Sequence, residues 1–171
     1  MPRSSSPGLR SELHAYLQRL RLIGAPVERI VGHKVLFRRG QEPIAGDGVL
    51  LTGDAAGLVD EFTEEGIYYA IRSGQIATRF LLRSLAGGHR WLGPYQQAID
   101  RELMPELRAA RTVARLFYGT LDRAPRGMLL LSARLDYLWR AFFRVQLGES
   151  SYVEEVRRAR LLRPLAHLLL R

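Results

Sequence analysis

Residues 50–79 read LLTGDAAGLVDEFTEEGIYYAIRSGQIATR, and this stretch decides how the chain folds. The apolar run Val49-Leu50-Leu51-Thr52 fits a short strand buried on both faces. Gly53 lets the backbone leave that strand sharply and lets another group approach it, and Asp54 places a short carboxylate at the turn. Ala55, Ala56 and Gly57 are small, so something bulky is expected to lie against them. A loop then leads to a second glycine at Glu65-Gly66-Ile67, after which the apolar period becomes helical. Ile67, Ala70, Ile71, Gly74, Ala77 (or Thr78), Leu81 and Leu85 share one face. The spacing predicts a helix that ends at Gly87-Gly88 and buries that stripe as its core face.

Upstream, Leu9, Leu13, Tyr16, Leu17 and Leu20 form a helical stripe, with Gly24-Ala25-Pro26 as its terminator. Val31 to Phe37 reads as a short strand, followed by a polar loop from Arg38 to Pro43. Downstream, Pro94 opens a helix carrying Tyr95, Ile99 and Leu103. Pro105 must kink or restart it, because a mid-helix proline removes a hydrogen bond and crowds the preceding turn. Leu107, Ala110, Ala114 and Phe117 continue the stripe. Met128 to Leu147 is strongly apolar and aromatic, and Ser151-Tyr152-Val153-Glu154 has the form of a capping box that opens a last helix, bent near Pro164. The fold class is mainly α with a few short β-strands. A lone buried strand cannot satisfy its own backbone polar groups. Val49–Thr52 therefore calls for sheet partners that this chain barely supplies, a sign of a missing portion.

Composition narrows the function classes. A chain of 171 residues with 47% hydrophobic residues is long and apolar enough for one core rather than for disorder. It has no cysteine, which excludes disulfides and thiolate metal sites, and its four histidines (His14, His33, His89, His167) lack paired ligand spacing, so no metal is expected. Met1 to Leu13 lacks a signal peptide's apolar stretch of roughly 7–15 residues, and no run reaches the ~18 apolar residues of a membrane span. A cytoplasmic location is the expectation, with peripheral membrane contact as an extension. The net charge is +9, and arginine supplies 25 of the 26 basic residues. Residues 1–100 carry 12 basic and 10 acidic groups, while residues 101–171 carry 14 and 7. That basic C-terminal half suits anionic headgroups or phosphorylated substrates, or is simply a solvated arginine-rich helix surface. No nucleic-acid recognition motif accompanies the charge.

A Gly-Asp turn followed by a glycine at a helix start suits the sugar chain and ring edge of a flavin. Asp54 would accept hydrogen bonds from neighbouring hydroxyls of a polyol. The start of the helix, with its free N–H groups and dipole, would stabilise negative charge on the ring edge, and Gly66 has no side chain to block approach. Each piece also has an ordinary reading: Asp54 or Thr63 as a helix cap, Tyr68 and Tyr69 as packing residues.

In this order and spacing the stretch resembles the second flavin-binding motif of the geranylgeranyl reductase family, within the FAD-dependent reductases and aromatic hydroxylases. The family pattern is close to GDAAGLVDPFTGEGIYYAIRSG, and this chain reads GDAAGLVDEFTEEGIYYAIRSG from Gly53 to Gly74. Weaker similarity extends upstream to Gly32-His33-Lys34 and downstream from Tyr95 to Gly148-Glu149-Ser150-Ser151-Tyr152. The resemblance implies the C-terminal fragment of an α/β FAD-binding, Rossmann-type flavoprotein. Residues 1–90 would be the remnant of the FAD-binding domain, and residues 91–171 a C-terminal helical region. It implies Gly53, Asp54, Ala55, Gly66 and Ile67 as cofactor-binding residues, with Asp54 on the ribityl hydroxyls and the Gly66 and Ile67 amides at the ring edge. It also implies a prenylated lipid, quinone or pigment as substrate, whose isolated C=C bonds are reduced, and helices that shape an isoprenoid pocket. No catalytic residue is identified; His33 as proton donor is outweighed by a structural role.

Two residues depart from the family pattern. Glu61 replaces its proline, and Glu64 the first glycine of its Gly-Glu-Gly. A carboxylate about 4 Å from a negative flavin edge would oppose it by about 1 kcal/mol in water and about 4 kcal/mol at an effective dielectric of ~20. That exceeds the roughly 0.3–1 kcal/mol of a helix dipole. Weaker flavin affinity is expected if either side chain turns inward, and no effect if both swing to solvent. A positive φ required at position 64 would add strain. The chain also contains no GxGxxG-bearing βαβ unit for the pyrophosphate, so its FAD site is incomplete and a missing N-terminal half is expected as partner. The alternatives are a fragment of a FAD-dependent aromatic monooxygenase, in which histidine is frequent where Gly57 stands, and a non-enzymatic basic helical module for lipid or membrane surfaces.

Overall fold

The computed structural model describes residues 8–22, 24, 29, 31–32, 34–40, 42–46, 48–87, 92–127 and 136–159. The chain divides into two compact units, Met1–Lys34 and Val35–Arg171. The described residues are mainly helical with two short antiparallel strands, the class expected from the sequence.

In the first unit, helix α1 spans Leu9–Arg19. It stops before Gly24-Ala25-Pro26, because Arg21 takes the left-handed conformation at φ +55°. The Leu22 amide then reaches back to the Leu17 carbonyl at 3.0 Å and the Arg21 amide to Gln18 at 3.0 Å. This is the hydrogen-bond pattern of a Schellman stop, with arginine where glycine is usual.

The strand expected over Val31–Phe37 does not form; among the described residues there the backbone is irregular, and Val31, Val35 and Leu36 are exposed. The first ladder is a hairpin of β1 (Ala45–Gly46) and β2 (Val49–Leu50), paired Ala45 to Leu50 and Gly46 to Val49. The expected buried strand is therefore corrected. It forms for two residues only, and Val49 is 58% exposed. With β1 as its only partner in the described sheet, it has neither the ladder nor the cover that would bury its outer face. Its inner side is tied down by side chains: Tyr95 Oη donates to the Leu51 carbonyl at 2.7 Å, and the Ile44 amide donates to Gln96 Oε1 at 3.3 Å.

Helix α2 runs Ile67–Gly87, ending at the expected glycine. Its orientation is the second correction. Tyr69, Ser73, Ile76 and Ala77 are buried, with Phe80 packed partly against the same core. Of the predicted core stripe only Ala77 is buried; the rest points the other way, with Ile67 80%, Ile71 60% and Leu85 80% exposed. Both faces of α2 are apolar, and periodicity cannot rank two apolar faces.

Helices α3 (Gly93–Glu102) and α4 (Met104–Arg123) meet at Leu103, with Pro105 in the first turn of α4, so the proline restarts the helix. A proline is accepted there because that amide has no intrahelical partner. Tyr95, Ile99, Met104 and Leu107 bury their side chains beneath α2, with Leu58 and Ile76 completing the centre of the core. Helix α5 spans Asp136–Gln146, where Trp139 and Phe143 remain about half exposed; Leu131 and Leu135 lie outside the described residues. Residues 152–159 form α6, opened by the predicted capping box. The Glu154 amide donates to Ser151 Oγ at 3.2 Å, and the Ser151 amide donates to Glu154 Oε2 at 3.3 Å. The bend expected near Pro164 lies outside the described residues.

Candidate functional site

The Gly-Asp turn is a single 3-10 turn, Gly53–Ala56, closed by Gly57 in the left-handed region. Both flanking glycines are required by close packing. A Cβ on Gly53 (φ +52°) would lie 2.9 Å from Ala70 Cβ, and the Gly53 amide donates to buried Ser73 Oγ at 2.9 Å. The close approach that Gly53 permits is thus an approach by α2. A Cβ on Gly57 (φ +67°) would lie 2.8 Å from the Arg38 amide nitrogen, which donates to the Gly57 carbonyl at 2.8 Å. A histidine at 57 would collide with that backbone.

Between these fixed points Asp54 and Ala55 are exposed. A Cβ built on Gly66 would lie 2.7 Å from Asp54 Oδ1, so the carboxylate rests against the bare α-carbon at the start of α2. Among the described residues, no group donates a hydrogen bond to that carboxylate. The capping reading of Asp54 therefore lacks its defining bond. The first amides of α2 have no intrahelical acceptor by geometry, and the Ala70 amide is the first to bond back, to Gly66 at 2.8 Å. Ile67 and Tyr68 beside them are exposed, while Tyr69 turns into the core. The structure thus brings Asp54 and Gly66 together at one exposed spot. Ala55 and Ile67 present themselves to solvent nearby in sequence, and Gly53 lies beneath the surface.

The loop from Val59 to Glu65 sets where α2 begins. Buried Asp60 accepts from the Phe62 amide at 2.7 Å and the Thr63 amide at 3.2 Å. Its own amide donates to the Glu65 carbonyl at 2.9 Å, and the Glu64 amide returns to the Asp60 carbonyl at 2.9 Å. These bonds close a tight loop in which Glu64 adopts φ +61°. The left-handed requirement raised for position 64 is real. Phe62 pins the loop from below, edge-on to Phe117 at 5.3 Å, Phe142 at 6.0 Å and Tyr152 at 6.4 Å. Thr63 does not cap the helix; α2 starts four residues later.

Glu61 takes neither of the two paths expected for it. Its side chain, 15% exposed, pairs with Arg39 Nη1 at 2.9 Å and accepts a hydrogen bond from Arg111 Nε. Glu64 is exposed.

Beneath the loop the electrostatics are set by buried groups. Burial, then the Asp60 carboxylate, push the Tyr69 hydroxyl up from its ordinary pKa, and the same two causes raise Tyr152. Among the described residues the buried Tyr152 hydroxyl has no hydrogen-bond partner. Burial pushes Tyr95 up to about 12, with the Arg38 charge opposing. Arg38 is itself enclosed, 3.5 Å from Asp100 Oδ1 but not hydrogen-bonded to it. Arg38 and Arg111 carry no motif signal, and Asp60 and Ser73, though inside the stretch Gly53–Gly74, are not singled out by its pattern; each is a single polar residue whose role depends on which segment folds over it.

Among the described residues no helix is long and apolar enough to cross a membrane. No protein-family model matches the chain, and no solved structure matches it. The chain is 32% identical over 106 residues to an uncharacterized protein of Methanosarcina barkeri, covering 62% of this chain and 27% of that protein. It is 29% identical over 128 residues to the chloroplastic geranylgeranyl diphosphate reductase of Oryza sativa subsp. japonica, covering 72% of this chain and 27% of the enzyme. The corresponding figures for the Arabidopsis thaliana enzyme are 25% over 103 residues, 57% and 22%. The chain spans about a quarter of the length of the curated relatives it matches, and over that span it is distantly similar to geranylgeranyl diphosphate reductases.

Proposed function

We propose that residues 50–79 hold the ribityl chain and ring edge of a flavin, and that the chain is the C-terminal portion of a FAD-dependent reductase acting on isoprenoid C=C bonds. The observation that carries this reading is the contact between Asp54 and Gly66. An exposed carboxylate that accepts no hydrogen bond from the described residues rests 2.7 Å from the position a Gly66 Cβ would take, beside the first amides of α2. A polyol would supply the donors that Asp54 lacks, and the α2 amides would face the acceptor edge of the ring system. The residues present fit that half of the cofactor, and distant similarity to geranylgeranyl diphosphate reductases supports the assignment. When bound, the flavin supplies the reducing equivalents. The protein's part is to hold it: Gly53 and Gly57 fix the turn, Asp54 binds, and Gly66 leaves the approach open.

The aromatic-hydroxylase alternative is disfavoured by Gly57, whose positive φ and contact with the Arg38 backbone leave no room for a side chain. The exposed outer stripe of α2 (Ile67, Ile71, Leu85) and the exposed Val49 suit burial against the complementary half that carries the nucleotide-binding unit.

Titration of the chain with FMN and with FAD, followed by flavin fluorescence, tests the reading. FMN and FAD are expected to bind with similar, weak affinity, because this chain has no fingerprint for the adenylate. Asp54→Ala is expected to weaken both about tenfold, the value of a charge-assisted hydrogen bond, and Gly66→Ala at least as much by displacing the carboxylate. Absence of binding in the millimolar range, or binding indifferent to both substitutions, refutes it.

A further inference from the structure

We propose that Arg111 is a positioning residue for the Asp54–Gly66 site, one guanidinium on α4 that sets the shape of the whole turn-to-helix connection. The inference rests on the flavin reading above. Arg111 Nε donates to the Glu61 carboxylate, and Arg111 Nη2 donates to the Arg38 carbonyl. The Arg38 amide in turn donates to the Gly57 carbonyl at 2.8 Å. Arg111 is therefore tied to the end of the Gly-Asp turn by way of Arg38, and to the loop before α2 by way of Glu61. The two attachment points, Gly57 and Glu61, bracket Leu58, Val59 and Asp60, and the Asp60 carboxylate and carbonyl hold the remainder of the loop as far as Glu64.

The clamp is enclosed enough to hold. The Arg111 and Glu61 side chains are 14% and 15% exposed, so water competes weakly for either. Arg39 Nη1 bonds the same Glu61 oxygen, Oε1, at 2.9 Å, so two guanidinium groups hold that carboxylate. The fork geometry of arginine matters, because the two bonds leave different nitrogens in different directions. A lysine ammonium is a single point and reaches one attachment at a time. Glu61 stands where the resembling family has proline. A ring that stiffens the backbone covalently is replaced here by a carboxylate that α4 grips. On this account Glu61 is a fastening for the loop and is directed away from any ligand.

The consequence lies in geometry rather than contact. Arg111 touches neither Asp54 nor Gly66 in any bond described, yet the separation between those two residues depends on the loop it grips. Loosening the clamp allows Glu64 to relax out of its left-handed conformation and shifts the start of α2 relative to Asp54.

The test uses the full chain with FMN as probe, in wild type, Asp54→Ala, Arg111→Gln and Arg111→Lys. Amide hydrogen exchange of residues 57–66 and thermal midpoints are measured alongside. Arg111→Gln is expected to weaken FMN about tenfold and to speed exchange in the 57–66 loop, with exchange in α3 unchanged. Arg111→Lys retains the charge and is expected to recover part of the affinity; it also serves if the glutamine variant does not fold. A purely structural role would lower the midpoint and leave the affinity of the folded fraction intact. Wild-type binding that Asp54→Ala weakens but neither Arg111 variant alters overturns the positioning role while leaving the flavin reading in place. Wild-type chain that does not bind FMN at all overturns both.

Discussion

Glu64→Gly separates backbone strain from charge at the loop before α2. Glu64 sits at φ +61°, held there by the reciprocal bonds between Asp60, Glu64 and Glu65, each 2.9 Å. A residue with a Cβ loses about 1–2 kcal/mol in the left-handed region. Glycine removes that cost but loses about 0.5–1 kcal/mol more conformational freedom on folding. The net expectation is a stabilisation of roughly 0.5–1 kcal/mol, equivalent to a rise of about 1–4 °C in the thermal midpoint for a chain of this size. The Glu64 charge contributes little to stability because the side chain is exposed. The assay is thermal unfolding by circular dichroism at neutral pH, with Glu64→Asn and Glu64→Ala in parallel. The expected order of midpoints is glycine, then asparagine, which tolerates this region best among ordinary residues, then alanine level with glutamate. An alanine variant as stable as the glycine variant would move the effect from backbone to charge. No rise with glycine would show that the loop does not force the left-handed conformation, and the account of Glu64 would fall.

Three further outcomes follow from the same geometry. Gly57→Ala places a Cβ 2.8 Å from the Arg38 amide nitrogen at φ +67°, where neither backbone can yield; a loss of about 2–3 kcal/mol in denaturant unfolding is expected, and a neutral result would refute the packing. Glu155 accepts both Arg144 nitrogens at 3.0 and 2.9 Å, and that pairing, with Ser150 and Arg158, holds its pKa down to about 2 from an ordinary 4.5. Its contribution is complete above the ordinary value and is lost as pH falls toward 2, so wild type should lose stability across that window. Glu155→Gln should be less stable at neutral pH by about 1–3 kcal/mol and flatter below it; parallel acid titrations of the two proteins would argue against the pair. Tyr95, raised by burial to about 12, keeps its neutral form in the fold, so its contribution is present below pH 10 and fades as pH rises toward 12. Tyr95→Phe should remove that alkaline loss while forfeiting the 2.7 Å bond to Leu51, at about 1 kcal/mol; an unchanged alkaline limb would contradict it.

Much of the architecture is legible in the chain because it is encoded locally. The capping box at Ser151-Tyr152-Val153-Glu154 forms between residues three apart, so its pattern carries its own geometry. Pro105 restarts a helix for reasons internal to its own ring. Gly53 and Gly57 mark backbone that cannot bear a side chain, whereas a Cβ on Gly66 would displace the Asp54 carboxylate. The failures share a different cause. Val49–Thr52 was expected buried from its apolar composition, but burial depends on partners elsewhere, and Val49 stays 58% exposed. Helix α2 shows the same limit, since its outer apolar stripe is as regular as the inner one.

What the order of residues determined alone was where helices start and stop, which positions must be glycine, and the spacing that sets a carboxylate ahead of a second helix start. These are properties of dihedral angles and of neighbours within one or two turns. Only the tertiary structure decided that Asp54 rests against Gly66, that Ser73 rather than Ile71 faces inward, and that Arg111 reaches across from α4 to grip Glu61. Those facts depend on the packing of segments up to 50 residues apart, as from Glu61 to Arg111. Such contacts are selected by shape and by the cost of leaving charge unpaired, and neither leaves a period in the sequence.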